Sequence, residues 1–385
     1  MAGTEATGGD IANAVGGRRA IAPRPGVMRI SPYVGGHSGG AGAANRAIKL
    51  SSNENPHGPS PKAREAAREA ADSLATYPDG GAVALREAIG RAHGIESERV
   101  VCGAGSDELI ALLCKAYAGE GDEVLASQHG FLMYRLSAYA AGADYVAAPE
   151  RGLTTDVDAM IARLSDRTRL VFVADPNNPT GTLVGQAALA RLADALPDRA
   201  LLVIDGAYAE YLREPGEDGG LALAAARDNV VATRTFSKIH GLASLRLGWA
   251  YAPEAVVDVL NRVRGPFNVS GVALAAGAAA VADHDWVARC VAANEAWRDW
   301  LAREIEAAGL GVTPSRANFL LVDAGGPERA RALDDHLKRR GLYVRAMEGY
   351  GLPGHLRVTV GDEDACRAVA EAVHGFAAET APAGS

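Results

Sequence analysis

The spacing of apolar residues changes character along the chain. Between residues 100 and 235, short runs rich in β-branched and other apolar side chains (residues 100–102, 123–126, 145–147, 170–174, 201–204 and 230–235) alternate with stretches at helical spacing, such as 107–117 and 186–195. Strand then helix, repeated, predicts a mostly parallel sheet with helices on both faces. Two helices precede it. Residues 61–75 open on a Ser-Pro step and continue Lys-Ala-Arg-Glu-Ala-Ala-Arg-Glu, good helix formers in amphipathic order. Residues 85–93 stop at Gly94, a residue type that commonly ends helices. Past Pro266 the helices lengthen, with Trp286, Trp297 and Trp300 on one stretch closed by Gly309. Strand-like pieces at 319–323 and 356–360 then flank a helix over 328–340, which predicts a smaller α+β unit. The tryptophans read as core and helix-packing residues.

This texture divides the chain into four parts. Residues 1–27, with Gly8-Gly9 and Gly16-Gly17 and no sustained period, are expected to be a disordered extension. Residues 28–60 form an arm joining the smaller unit, 61–268 a large domain, and 269–385 a C-terminal domain with a connecting helix.

Length and composition agree with that division. A chain of 385 residues, 48% hydrophobic, can bury a large core. A formal charge of −8 without a basic stripe excludes general nucleic-acid binding, which depends on clustered Lys and Arg. Cys102, Cys114, Cys290 and Cys366 are scattered, with neither a Cys-x-x-Cys pair nor a zinc-like spacing, and read as reduced thiols of a cytoplasmic protein. No metal site is expected. Neither a bilayer-spanning run nor a signal-peptide order is visible, so no membrane partner is expected either.

Ligands of such sheets lie beyond the carboxyl ends of the strands, and the chemical motifs all fall there. Lys238 closes Arg234-Thr-Phe-Ser-Lys238. A lone lysine after a strand is an ordinary solvated charge, but this one keeps company with an Asp-Pro-Asn-Asn-Pro-Thr-Gly turn (175–181), Asp205, Tyr208 and Arg246. Together they read as a Schiff-base lysine for pyridoxal phosphate. Asp205 would hold a proton on the ring nitrogen, and Asn178 and Tyr208 would donate to the ring's phenolate oxygen. Gly105, Ser106 and Asp107 open a helix where an anion could sit, with Ser237 and Arg246 beside it. Ser106 could equally be a simple helix cap, and Arg246 a structural ion pair. Phe131, in His-Gly-Phe-Leu-Met-Tyr134, is either an aromatic plate over the ring or core packing.

With these residues, Asn53-Glu-Asn-Pro-His-Gly-Pro, Tyr77-Pro-Asp, Gly105-Ser-Asp-Glu and Leu245-Arg246 make the chain similar to the class I/II pyridoxal-phosphate aminotransferases of fold type I. Within that family, Ser31-Pro-Tyr33-Val, Arg-Ala-Asn318-Phe, Val344-Arg345 and Tyr350-Gly-Leu-Pro-x-x-Leu-Arg357-Val-Thr-Val-Gly361 most resemble the histidinol-phosphate aminotransferases. The resemblance implies a mostly parallel seven-stranded sheet flanked by helices, plus the smaller α+β domain. It implies a homodimer in which Tyr77 reaches the partner's cofactor phosphate, held otherwise by the Ser106 and Asp107 backbone, Thr235, Ser237 and Arg246. Tyr33, Asn318, Arg345 and Arg357 would bind substrate, the arginines taking phosphate in one half-reaction and carboxylate in the other. The implied activity is ping-pong transamination through Lys238, from histidinol phosphate to 2-oxoglutarate. Aromatic amino-acid transamination and phosphothreonine-type decarboxylation are the alternatives on the same scaffold. A regulator built on the fold would need a basic helix-turn-helix, which the residues before Tyr33 are too few and too Gly-rich to form. Gly206, Asp175, His57, His240 and Ser244 depart from the family's usual residues.

Overall fold

The computed structural model describes residues 22–31 and 47–380. Tyr33, most of the N-terminal extension and much of the arm lie outside the described residues. The centre is a seven-stranded sheet: β1 Val100–Gly103, β2 Glu123–Ser127, β3 Asp144–Ala148, β4 Thr168–Ala174, β5 Leu201–Asp205, β6 Val230–Thr235 and β7 Gly248–Tyr251. Their spatial order is β1-β7-β6-β5-β4-β2-β3, parallel throughout except that β7 runs against both neighbours.

Two-sided burial follows from the period of two. Leu170 and Phe172 of β4, and Leu201 and Val203 of β5, enter the layer made with Leu109, Ile110 and Leu113. Val171 and Val173, with Leu202 and Ile204, enter the opposite layer with Leu85, Ile89 and Trp249. Each fully buried side chain of this size contributes roughly 1.5–3 kcal/mol. Asp205 continues the parity of Leu201 and Val203, which aims it at the face carrying the helix Leu132–Ala141.

A second sheet has the order β8-β9-β11-β10, all antiparallel, from β8 Gly311–Thr313, β9 Phe319–Asp323, β10 Arg345–Ala346 and β11 His355–Thr359. The helices His284–Ala307, Pro327–Arg339 and Glu363–Thr380 accompany it and share a core through Leu301, Ile305, Leu333, Leu337, Val369 and Phe376. Trp297 and Trp300 pack against this core edge to face, 5.3 Å apart, with the Arg367 guanidinium over both rings. The arm is tied in by Ile48–Lys49, which pairs parallel with Leu342–Tyr343. No helix among the described residues is long and apolar enough to cross a membrane.

Three expectations need correction. The helix at 61–75 ends at Ala70 and tightens into a 3-10 turn over Ala71–Ser73, because the next apolar residue, Leu74, lies exposed and gives a longer helix nothing to bury. Strand β7 was not among the expected strands, since Gly-Trp-Ala-Tyr carries no β-branched residue. The end of the 1–27 extension is ordered: Pro25–Arg29 forms a 3-10 turn on the helix Leu132–Ala141. Arg24 donates to the Ala140 and Ala141 carbonyls, and Arg29 lies over the Tyr139 ring at 3.9 Å. Gly26 permits that approach, as a Cβ there would come within 2.2 Å of the Tyr139 carbonyl oxygen.

Candidate active site

The parallel strands end at one edge of the large sheet, and because β7 runs the other way its start lies at the same edge. There a cavity of about 230 Å³ opens. Ser106, Asp107, Phe131, Asn178, Asp205, Tyr208, Thr235, Ser237, Lys238 and Arg246 all line it, joined by Ser52 and Glu54. Residues from five strand ends and the arm thus share one space.

Lys238 follows β6 in a tight turn, Gly241 N–H donating to the Lys238 carbonyl at 3.0 Å. Its Nζ donates to the Ser52 carbonyl at 3.0 Å. Burial, and then the Arg357 guanidinium, lowers its ammonium pKa to about 8, so about a tenth is free amine at pH 7, far more than for an ordinary lysine.

Asp205 forms the floor. It accepts from the Tyr134 hydroxyl at 2.8 Å, Thr233 Oγ1 at 3.2 Å and the Ala207 N–H at 3.3 Å, all neutral donors. Burial raises its pKa, against the pull of those hydrogen bonds. A buried carboxylate held this way is arranged to meet a cation from the cavity.

The opposite wall suits an anion. The twelve-residue helix Ser106–Tyr117 points its first N–H groups there, and Arg246 donates to Ser237 Oγ at 3.2 Å and to Asp107 Oδ2 at 3.3 Å. Thr235 Oγ1 accepts from the Ser237 N–H at 3.1 Å and fixes the turn. Gly105, at φ +89°, has no room for a side chain: a Cβ would lie 2.5 Å from Arg246 Nη2.

Two donors complete the set. Arginine only donates, so the amide oxygen of Asn178 must be the atom facing Arg357 Nη1, which leaves the Asn178 NH₂ for the cavity side. Tyr208, almost fully buried, accepts from Asn53 Nδ2 at 2.9 Å. Phe131 meets Tyr134 edge on, ring centres 5.7 Å apart, while also lining the cavity.

The substrate residues are placed less uniformly. Arg357 donates to the Ser51 carbonyl at 2.9 Å, and its Nε has no hydrogen-bond partner among the described residues. Arg345 is its direct cross-strand neighbour, so both arginines stand on one face of the small sheet. Asn318, expected to bind substrate, is buried and donates instead to the Asn53 carbonyl at 3.0 Å, where it secures the arm. Tyr77 is 82% exposed, stacked on Phe267 at 4.7 Å, and does not line the cavity of its own chain.

Sequence reasoning gave no role to Tyr134, Thr233, Ser52, Asn53 or Thr359. Tyr134 was recoverable, since three residues after Phe131 on a helix is the same side. Thr233 reaches Asp205 through the pairing of β5 with β6, and Ser52, Asn53 and Thr359 depend on the arm folding back over the site. Among the departures, Gly206 has a structural cause: a Cβ would lie 1.8 Å from Arg234 Nη1, and Arg234 is buried with hydrogen bonds to Asp218, Gly219 and Thr233 carbonyls and an ion pair to Glu210. His240 is likewise enclosed, against Phe236, and its pKa falls to about 3 through burial.

Residues 45–373 match the family model for aminotransferase class I and II, and the chain belongs to that family. Histidinol-phosphate aminotransferases match it along nearly its whole length. That of Dinoroseobacter shibae is 56% identical over 361 residues, 94% of this chain and 99% of the relative. That of Rhodospirillum rubrum is 52% identical over 358 residues, 92% and 97% of the two chains. A crystal structure of histidinol-phosphate aminotransferase from Sinorhizobium meliloti in complex with pyridoxal-5'-phosphate superimposes with a TM-score of 0.83, at 28% identity, covering 87% of this chain and 92% of that one.

Pyridoxal phosphate is the cofactor of this class, and the residues present fit it. The glycine-floored anion cradle would take its phosphate, Asp205 its protonated ring nitrogen, Asn178 and Tyr208 its phenolate oxygen, and Lys238 its aldehyde.

Proposed function

We propose that the protein transfers the amino group of histidinol phosphate to 2-oxoglutarate, giving imidazole acetol phosphate and glutamate, in two half-reactions at one site. The observation that carries this reading is the single cavity in which a lysine of lowered pKa, a cation-seeking buried carboxylate and an anion cradle face one another. When bound, pyridoxal phosphate supplies an aldehyde that accepts the amino group and a ring that withdraws electrons from the carbon losing its proton.

The chain's own residues do the rest. Lys238 Nζ, a free amine in part at neutral pH, takes the proton from the amine-bearing carbon of the substrate and returns it one position away. Asp205, which forms no ion pair among the described residues, keeps the ring nitrogen protonated. The Ser106 helix end with Ser237 and Arg246 fixes the cofactor phosphate, and Phe131 limits tilting of the ring. Arg345 and Arg357 supply paired guanidiniums for the substrate's anionic end, phosphate in one half-reaction and carboxylate in the other. Tyr33 would add a hydroxyl to that end.

The reading includes a homodimer in which Tyr77 extends to the partner's cofactor phosphate, and a cytoplasmic location. An exposed Tyr77–Phe267 stack, with Leu74 and Val83 also exposed, supports the first. Glutamate formation from 2-oxoglutarate should be assayed with histidinol phosphate, phenylalanine and threonine phosphate as donors. We expect the highest kcat/KM with histidinol phosphate. A preference for phenylalanine, or carbon dioxide released without glutamate, would overturn the assignment.

A further inference from the structure

The arm segment Ser51–Asn53 presents three successive carbonyls to three different side chains. Ser51 accepts from Arg357, Ser52 from Lys238 Nζ and Asn53 from Asn318. Asn53 sits in the left-handed region at φ +57°, where asparagine is among the better-tolerated residues. Its backbone N–H donates to Thr359 Oγ1 at 2.9 Å, and the Thr359 hydroxyl has its own acceptor in Asn53 Oδ1 at 3.2 Å. Asn53 Nδ2 therefore faces the Tyr208 oxygen, 2.9 Å away.

This direction has a chemical consequence. An amide NH₂ only donates, so Tyr208 accepts from Asn53 and its own hydroxyl proton is left for the cavity. The reverse amide orientation would make Tyr208 the donor to Asn53 and aim its lone pairs, not its proton, at the cavity. Thr359 and Arg357 stand two residues apart on β11, hence on one face, and Arg357 fixes the Asn178 amide in the same sense.

We infer that Asn53, oriented by Thr359, is a positioning residue that makes Tyr208 a hydrogen-bond donor to the cofactor's phenolate oxygen. The inference rests on the proposed cofactor site. A proton donated to that oxygen stabilises its ionised form and so lowers the pKa at which the cofactor–Lys238 nitrogen loses its proton. Arg357, Lys238, Asp205, Tyr211 and Tyr350 are further charged or titratable groups around Tyr208, and the Asn53 and Thr359 variants below alter none of them.

The test is a pH titration of the visible absorbance of the cofactor-loaded protein. Tyr208→Phe sets the reference shift. Asn53→Gly keeps the left-handed backbone accessible while removing the amide, and Thr359→Val removes the orienting hydroxyl at similar shape. Both should raise the midpoint by roughly half a unit or more, less than Tyr208→Phe does. The double variant Asn53→Gly/Tyr208→Phe should match Tyr208→Phe alone. A midpoint that stays put or falls in Asn53→Gly, or shifts that add in the double variant, would overturn the inference. If wild type took up no cofactor, or Tyr208→Phe moved nothing, the proposed site itself would be at fault instead.

Discussion

Asp205 shows how a single side chain can oppose stability in order to serve chemistry. Its carboxylate is buried among neutral donors, and burial raises its pKa, so without the cofactor its charge is disfavoured relative to a carboxylate in water. The raised value gives a fixed sign: its contribution to stability is present below the unfolded pKa and lost as pH rises through the folded one. Asp205→Asn removes that loss and keeps the shape. The cofactor-free variant should therefore unfold at the same temperature as wild type or higher at pH 8, while its kcat falls by roughly 10²-fold or more. Parallel losses of melting temperature and activity would mean that Asp205 serves the fold alone.

The turn after β4 is an element held by one buried acid. Asp175 accepts from the Val184 N–H at 2.7 Å and the Gly185 N–H at 3.2 Å, yet burial raises its pKa to about 7. The unfolded chain releases this proton near 3.8, so the folded state gains relative stability below that pH and loses it as pH rises to 7 and beyond. Chemical denaturation at pH 5 and pH 8 should show Asp175→Asn gaining on wild type at the higher pH by an amount of order 3 kcal/mol. An equal offset at both pH values would contradict this.

Elements also mark how far the sequence could be read. Five of the six parallel strands declared themselves because both faces are buried, which concentrates apolar residues such as Leu170 to Ala174 in unbroken runs, whereas the half-exposed edge strand β3 was read from its place in the strand-helix alternation. Strand β7 did not, because its place between β1 and β6 is set by pairing of Gly248 with Gly103 and Thr235 rather than by propensity. The site residues on strand ends were legible as a group at one end of the sheet, none of them decisive alone, and Thr235 only through the family resemblance. Asn318 drew a substrate role because it sits beside Phe319 in a family motif. Its contact with Asn53 spans 265 residues, and no local pattern carries that.

For the whole molecule, the homodimer reading turns on which copy supplies Tyr77. Within one chain it stacks on Phe267 at the surface, outside the cavity that Lys238 lines. If each site borrows Tyr77 from its partner, a Lys238→Ala protein and a Tyr77→Ala protein, each impaired, should complement when unfolded and refolded together. The hybrid dimer then holds one native site, and the mixture should recover about a quarter of wild-type activity. Activity no higher than that of the separate variants would place Tyr77 outside the partner's site.

The central claim is that Lys238, and no other lysine, joins the cofactor in this cavity. Reducing the cofactor-loaded protein with borohydride and mapping its peptides by mass spectrometry tests it directly. The account predicts a phosphopyridoxyl group on Lys238 in wild type and none in Lys238→Ala; a label on a different lysine, or no label on a protein that still transaminates, would contradict it.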